Sequence, residues 1–202
     1  MAYNVINLED IYGAMSEKEI KEILKGFECE KNKDVEYFLK QKSIEFSKLN
    51  ISRTFLVTSS YKEQEVIVGY FAIANKITKI KKSPLSSTQL KRIKRFANSE
   101  EDKRYYTLSL PLIGQLGKNF KNGYDKLISG DVLLKLACDK VKEAQRLIGG
   151  KFVSLECEDV PKLKEFYESN GFVCFGKRNL EKEERENNKG NYLLQMLCDL
   201  SK

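Results

Sequence analysis

The stretch Phe152 to Phe172 constrains the fold more than any other part of the chain: Phe-Val-Ser-Leu-Glu-Cys-Glu-Asp-Val-Pro-Lys-Leu-Lys-Glu-Phe-Tyr-Glu-Ser-Asn-Gly-Phe. Its first half is apolar enough for a buried strand. Its second half spaces Leu163, Phe166 and Tyr167 along one face of a helix, which Asn170-Gly171 stops, because glycine readily takes the left-handed backbone that ends helices. The unit is strand, short turn, amphipathic helix, and it carries Tyr167 in the last helical turn. Such a unit holds one phenol at a fixed height beside a strand end.

Around it the sequence alternates helical and strand patterns. Ser16-Glu17-Lys18-Glu19 is a capping box, opening a helix in which Ile20, Ile23 and Leu24 share a face before Gly26. A second helix is predicted from Asp34 to Leu49, with Val35, Phe38, Leu39, Ile44 and Phe46 as its stripe. Thr54–Thr58 and Glu65–Ala74 read as an antiparallel hairpin across a polar linker, Ser59 to Gln64. A helix from Ser87 to Phe96, a charged turn from Glu100 to Arg104 and a long strand from Tyr105 to Leu116 follow. Within that strand Pro111 lacks a ladder donor, which marks a bulge or an unpaired position. Ser129 to Ile148 reads as a helix with Val132, Leu133, Leu136, Val141 and Ala144 inward, closed by Gly149-Gly150. Two last strands, Val173–Phe175 and Tyr192–Leu197, flank a charged loop from Arg178 to Gly190 that reads as mobile.

Length and composition narrow the chemistry. At 202 residues the expectation is one domain, 1–202, and no run approaches the roughly 18 apolar residues of a membrane helix. The first ten residues have neither a basic nor an apolar leader region, so a cytoplasmic location is expected, with no membrane partner. The chain has no histidine, which removes imidazole bases and imidazole metal ligands. Its five cysteines, Cys29, Cys138, Cys157, Cys174 and Cys198, are scattered in apolar patterns and read as small buried thiols. No metal site is expected.

The net charge of +7 is unevenly spread. Between Lys76 and Arg95 stand eight Lys or Arg and no acid, within a basic insertion at about 76–104. This is either a solvated face or a surface for phosphates.

Phe-Tyr-x-x-x-Gly-Phe after a strand resembles the last core motif of the GNAT superfamily of acetyl-CoA-dependent N-acetyltransferases. The order of the remaining elements agrees. Phe27-Glu28-Cys29, Asp34–Lys40, Val68-Gly69-Tyr70-Phe71-Ala72-Ile73 and Asn191–Met196 are similar to segments of the branch that includes toxins acetylating aminoacyl-tRNA. Where that branch has Arg-Leu-Ala-Val, this chain has Gln115-Leu116-Gly117-Lys118. The family's pyrophosphate loop reads Gln/Arg-x-x-Gly-x-Gly/Ala before a Leu-Leu pair. Aligned on Leu133-Leu134, Gly130 takes the last glycine, while Ile128 and Asp125 stand at the other two signature positions.

The resemblance implies an α+β fold: a mixed, mostly antiparallel twisted sheet of about 6–7 strands, helices on both faces and a splayed central strand pair. It implies acetyl-CoA as cosubstrate, its pantetheine arm along Gln115, Leu116, Gly117 and Lys118, and its pyrophosphate at the backbone of Lys126, Leu127, Ile128, Ser129 and Gly130. It also implies Tyr167 as the acid that protonates the departing thiolate. The reaction implied is transfer of acetyl to a primary amine by direct attack in a ternary complex. Glu156 and Glu158 alternate with apolar neighbours; one alternative places a carboxylate at a splayed strand end near the thioester as a base, but edge-strand solvation is the expected fate of each, and the amine's proton can also leave to water. Cys157 falls on the apolar face, where a thiolate, and so an acyl-carrier role, is disfavoured.

The acceptor stays open: the amino group of a charged tRNA, with Lys91, Arg92, Lys94 and Arg95 on its phosphates, a protein N-terminus, a lysine or a small amine. A homodimer is one assembly the resemblance allows. A non-catalytic acyl-CoA-binding or regulatory module is the competing class, motivated by the altered loop.

Overall fold

A computed structural model describes residues 2–83, 85–99, 104–182, 185 and 190–201. Chain packing divides it into two compact units, Met1–Ala74 with Ile113–Lys140, and Asn75–Leu112 with Val141–Lys202.

In the first unit, β1 (Asn4–Asn7) leads into the single turn α1 (Leu8–Ile11) and then α2 (Glu17–Leu24). The predicted capping box forms at α2: Ser16 Oγ accepts from the Glu19 N–H, and the Glu19 carboxylate accepts from the Ser16 N–H. Ile20 and Leu24 are buried, but Ile23 turns outward. The predicted helix 34–49 is broken into α3 (Lys33–Tyr37), a π-turn over Phe38–Lys42, and α4 (Ser43–Lys48). The π-turn inserts one residue into the helical repeat, so Val35, Leu39 and Ile44, spaced four and then five apart, all reach the core. Ser43, fully buried there, donates its hydroxyl to the Leu39 carbonyl at 2.5 Å.

The hairpin strands β2 (Ser52–Tyr61) and β3 (Gln64–Lys81) pair antiparallel and are longer than predicted. Tyr61 pairs with Gln64, leaving a two-residue turn. There Lys62 and Glu63 both take positive φ, 49° and 64°, the backbone that matches strand twist. Strand order runs β1-β2-β3-β5, where β5 is Tyr105–Lys118; only the residues of β3 up to Ala74 and of β5 from Ile113 belong to this unit. Leu8, Ile20, Leu24, Phe27, Leu39, Leu56 and Tyr70 are its central buried residues.

In the second unit the helix predicted over 87–96 is α5 (Ser87–Ile93), again opened by a capping box, Ser86 with Gln89. The two-residue β4 (Asn98–Ser99) pairs with β5. Glu100–Lys103 of the predicted charged turn lie outside the described residues. α6 (Gly130–Ile148) ends at Gly149 and Gly150, both with positive φ, as predicted. Gln145 occupies a buried position near its end and donates to the Phe152 carbonyl at 2.8 Å, whereas Ala144, predicted inward, is exposed. Then come β6 (Phe152–Glu158), α7 (Pro161–Ser169), β7 (Val173–Asn179) and β8 (Tyr192–Asp199). The order here is β3-β5-β6-β8-β7, with β6/β8 and β7/β8 antiparallel. β7 runs four residues further than predicted and takes Arg178 out of the charged loop, of which 183–184 and 186–189 lie outside the described residues. Ile80, Ile93, Leu108, Phe152 and Phe175 are central to this core. The architecture is the expected α+β one, with seven main strands and the short β4.

Candidate active site

The segments predicted to hold acetyl-CoA meet in the first unit. Gln115 lies near the end of β5 and donates its amide to an Asp34 carboxylate oxygen at 2.9 Å, which fastens the strand to the first turn of α3. Two residues on, Gly117 is buried, and an added Cβ would overlap Val35 Cγ1; only a glycine lets α3 lie this close. A second close approach occurs at Gly69, beside the Gly117 carbonyl and the Leu133 side chain. Its neighbour Tyr70 is fully buried, donates its hydroxyl to the Val35 carbonyl at 2.5 Å, and has a pKa pushed well up, first by burial and then by the Asp34 charge.

Asn119 is fully buried just past β5, and no pattern in the sequence marks it. Its Oδ1 accepts from the Glu28 and Lys121 N–H groups at 3.0 Å each. Its Nδ2 donates to the Gly26 and Ile67 carbonyls at 2.9 and 2.7 Å. All four bonding positions of the amide are used, so Asn119 fixes where β5 ends and the loop begins.

The loop turns through Asn122 and Gly123, with φ of 52° and 75°, and is drawn inward at three carbonyls. Lys118 Nζ donates to Asp125 O at 2.8 Å and to Ile128 O at 3.2 Å, and the Tyr3 hydroxyl donates to Leu127 O at 2.8 Å. Ser129 caps α6: its hydroxyl accepts from the Val132 N–H at 3.2 Å and its carbonyl from the Leu133 N–H at 3.1 Å. Of the predicted cofactor residues, Lys126 and Ser129 are exposed, Ile128 is buried in support, and Leu127 and Gly130 are intermediate.

Tyr167 belongs to the second unit. It is the third residue from the end of α7, whose stop is a Schellman motif: the Phe172 N–H donates to Tyr167 O and the Gly171 N–H to Glu168 O, both at 3.0 Å, with Gly171 at φ 84°. Tyr167 is buried, its ring edge-on to Phe166 and Phe172. Burial, and after it the neighbouring Cys157, pushes its pKa well above the ordinary phenol value, so the hydroxyl keeps its proton at neutral pH. Cys157 is itself buried, its thiol pushed up to about 12, chiefly by burial. A thiolate is disfavoured there, as expected.

Glu156 departs from the expectation of a solvated edge. β6 has a neighbour on each side, and the carboxylate is largely enclosed. One oxygen accepts from Lys76 Nζ at 3.2 Å and Gln195 Nε2 at 3.1 Å; the other accepts from Arg178 at 2.9 Å. Burial pushes its pKa up, but the Arg178 bond and the charges of Lys76 and Arg178 outweigh that and hold it below the usual carboxylate range. A carboxylate so held is a weak proton acceptor. Sequence spacing gave no signal for these partners, which come from β3, β7 and β8.

The basic segment is partly used internally. Arg92 is paired with Asp199 at 3.1 Å and Lys76 with Glu156, whereas the side chains of Lys91, Lys94 and Arg95 are exposed. Among the described residues, no cluster of cysteine and carboxylate side chains has a metal-site arrangement, and no helix is long and apolar enough to cross a membrane.

No known family profile matches the sequence, and no curated protein is similar to it in sequence. Solved structures are similar in fold. A tyrosine-to-phenylalanine mutant of the AtaT toxin, bound to the C-terminus of the antitoxin AtaR and acetyl-CoA, is 16% identical, with a TM-score of 0.59 over 98% of this chain and 93% of that one. A tyrosine-to-phenylalanine mutant of KacT is 17% identical, with a TM-score of 0.60 over 96% and 94%. AtaT complexed with acetyl-methionyl-tRNAfMet is 17% identical, with a TM-score of 0.59 over the same shares. The fold of this chain is the α+β fold shared by the AtaT toxin and the KacT structures.

Proposed function

We propose that the chain is an N-acetyltransferase that moves the acetyl group of acetyl-CoA to a primary amine by direct attack. The observation that carries this reading is Tyr167, fixed in the last turn of α7 by the Schellman stop, within a fold shared with a toxin solved with acetyl-CoA. In this reaction the amine lone pair attacks the thioester carbonyl carbon, the C–S bond breaks, and the amine nitrogen gives up a proton to water. The leaving sulfur takes up negative charge as the bond breaks. A phenol raised above its ordinary ~10, against a thiol near ~8.5, is too weak an acid to give its proton away fully. Tyr167 therefore acts by donating a hydrogen bond that strengthens as the thiolate forms, with solvent supplying the final proton. Pantetheine is bound along Gln115 to Lys118 and pyrophosphate at Lys126 to Gly130, and no covalent intermediate on Cys157 is involved.

Within this reading the acceptor is the amino group of an aminoacyl-tRNA. AtaT complexed with acetyl-methionyl-tRNAfMet and the exposed cations Lys91, Lys94 and Arg95 support this choice over a small amine. The test is incubation with radiolabelled acetyl-CoA and either charged tRNA or free amines. Label on the aminoacyl group is the expected result. Acetyl-CoA binding with no transfer to any amine would favour the non-catalytic module, and absence of acetyl-CoA binding would overturn the reading.

A further inference from the structure

We infer that Lys118 is a positioning residue that shapes the anion-binding loop of this chain, an inference that rests on the acetyl-CoA reading. A glycine-rich loop turns its N–H groups outward through conformations that bulky residues avoid. Here Asp125 and Ile128 replace the residues of that signature, and the positive φ values near the loop are confined to Asn122 and Gly123. The segment from Asp125 to Ser129 therefore needs another means of orienting its peptides. Lys118 provides it by drawing the Asp125 and Ile128 carbonyls to one ammonium.

The consequence follows from peptide geometry. No peptide bond among the described residues is cis, and in a planar trans peptide the C=O and the following N–H point in opposite directions. With the Ile128 carbonyl facing Lys118, the Ser129 N–H faces away from it. Gly130, the next residue, opens α6, where first-turn N–H groups lack intrahelical acceptors. Ser129 is exposed, and its hydroxyl is engaged by Val132. Carbonyl oxygens do not neutralise an ammonium, so Lys118 also leaves a positive charge behind the loop. A diphosphate is the ligand such a surface suits: backbone donors in front, a fixed cation behind. The lysine thus does with one side chain what the family does with glycines.

Calorimetry with acetyl-CoA and with S-acetylpantetheine, which lacks the pyrophosphate, tests this in the wild type and Lys118→Met. Loss of two charge-assisted bonds weakens acetyl-CoA binding by on the order of 10- to 100-fold. S-acetylpantetheine, which would meet the backbone of Gln115 to Lys118 and not the Lys118 side chain, is expected to lose much less, so the difference between the two losses reads the pyrophosphate contribution. Unchanged acetyl-CoA affinity, or equal loss for both ligands, overturns the assignment. Should Lys118→Met fail to fold, the wild-type amide spectrum decides: acetyl-CoA is expected to shift the Ser129 N–H resonance, and tight binding that leaves it unmoved overturns the proposal. A wild type that binds no acetyl-CoA fails differently, since it removes the reading beneath.

Discussion

The Phe172 N–H donates to the Tyr167 carbonyl at 3.0 Å while the two rings pack with centroids 5.9 Å apart. One motif therefore both ends the helix and fixes the phenol, since the apolar contact that accompanies a Schellman stop joins these same two positions. Tyr167→Phe keeps the ring packing and removes the hydrogen-bond donor. Acetyl transfer is expected to fall by on the order of 10- to 1000-fold with the fold intact. Transfer at the wild-type rate would place leaving-group stabilisation on another residue. The tyrosine also carries a pH signature. Its folded pKa lies above the unfolded value, so its contribution is fully present below pH ~10 and is lost as pH rises toward the folded value. Alkaline denaturation should accordingly be less steep in Tyr167→Phe.

Gly117 and Val35 form a second pair open to test. Adding a methyl at Gly117 forces it into the Val35 side chain, where α3 approaches β5. Gly117→Ala is expected to cost about 1–3 kcal/mol, the usual range for overpacking. The double variant with Val35→Ala should recover part of that loss, because the obstructing methyl groups are gone. Thermal denaturation of the four proteins in the cycle gives the coupling, and strictly additive effects would contradict the packing account.

The sequence made the larger elements legible where a local pattern decides them. The Ser16–Glu19 capping box, the Asn170-Gly171 stop and the Gly149-Gly150 stop act within a few residues of themselves, and each forms where expected. The Ser86–Gln89 capping box follows the same local rule, though it is not among the sequence expectations. What escaped depends on partners distant in sequence. The π-turn at Phe38–Lys42 is a slip that lets Val35, Leu39 and Ile44 reach one core, and no spacing within the helix announces it. Asn119 looks like a loop residue until its four backbone partners, from three parts of the chain, are assembled around it. Lys118 reads as an ordinary strand-end cation, and only the folded loop reveals the carbonyls it gathers.

Glu156 separates a structural carboxylate from a catalytic one. Its oxygens satisfy Lys76, Gln195 and Arg178, and Glu156→Gln removes the carboxylate charge that Lys76 and Arg178 share in this largely enclosed place. Stability at neutral pH should fall by about 1–3 kcal/mol, below the cost for a fully buried pair because the cations keep some contact with water. The sign of the pH effect is set by its lowered pKa. The stabilisation is present above the unfolded value of ~4.3 and disappears as pH falls through the folded value, so the variant should show a shallower acid limb. A general base would behave otherwise, with turnover collapsing while acid stability stayed as in the wild type.

The basic segment offers a test of the tRNA acceptor in which the four cations are not equivalent. Arg92 is engaged by Asp199, whereas Lys91, Lys94 and Arg95 present exposed side chains. Neutralising phosphate releases condensed counterions, and each contact contributes a slope of ~0.7 for single strands to ~0.9 for duplex in log affinity against log salt. Changing Lys91, Lys94 and Arg95 together to Gln should flatten that slope by roughly two to three units for charged tRNA and leave acetyl-CoA affinity as it was. Arg92→Gln alone should alter the slope little and lower thermal stability slightly, since Asp199 loses one ion pair but keeps its hydrogen bonds from Ser201. A filter-binding titration across salt concentrations measures all of these. Equal slopes for the wild type and the triple variant would make the segment a solvated face, and no detectable binding by the wild type at low salt would remove tRNA as the acceptor.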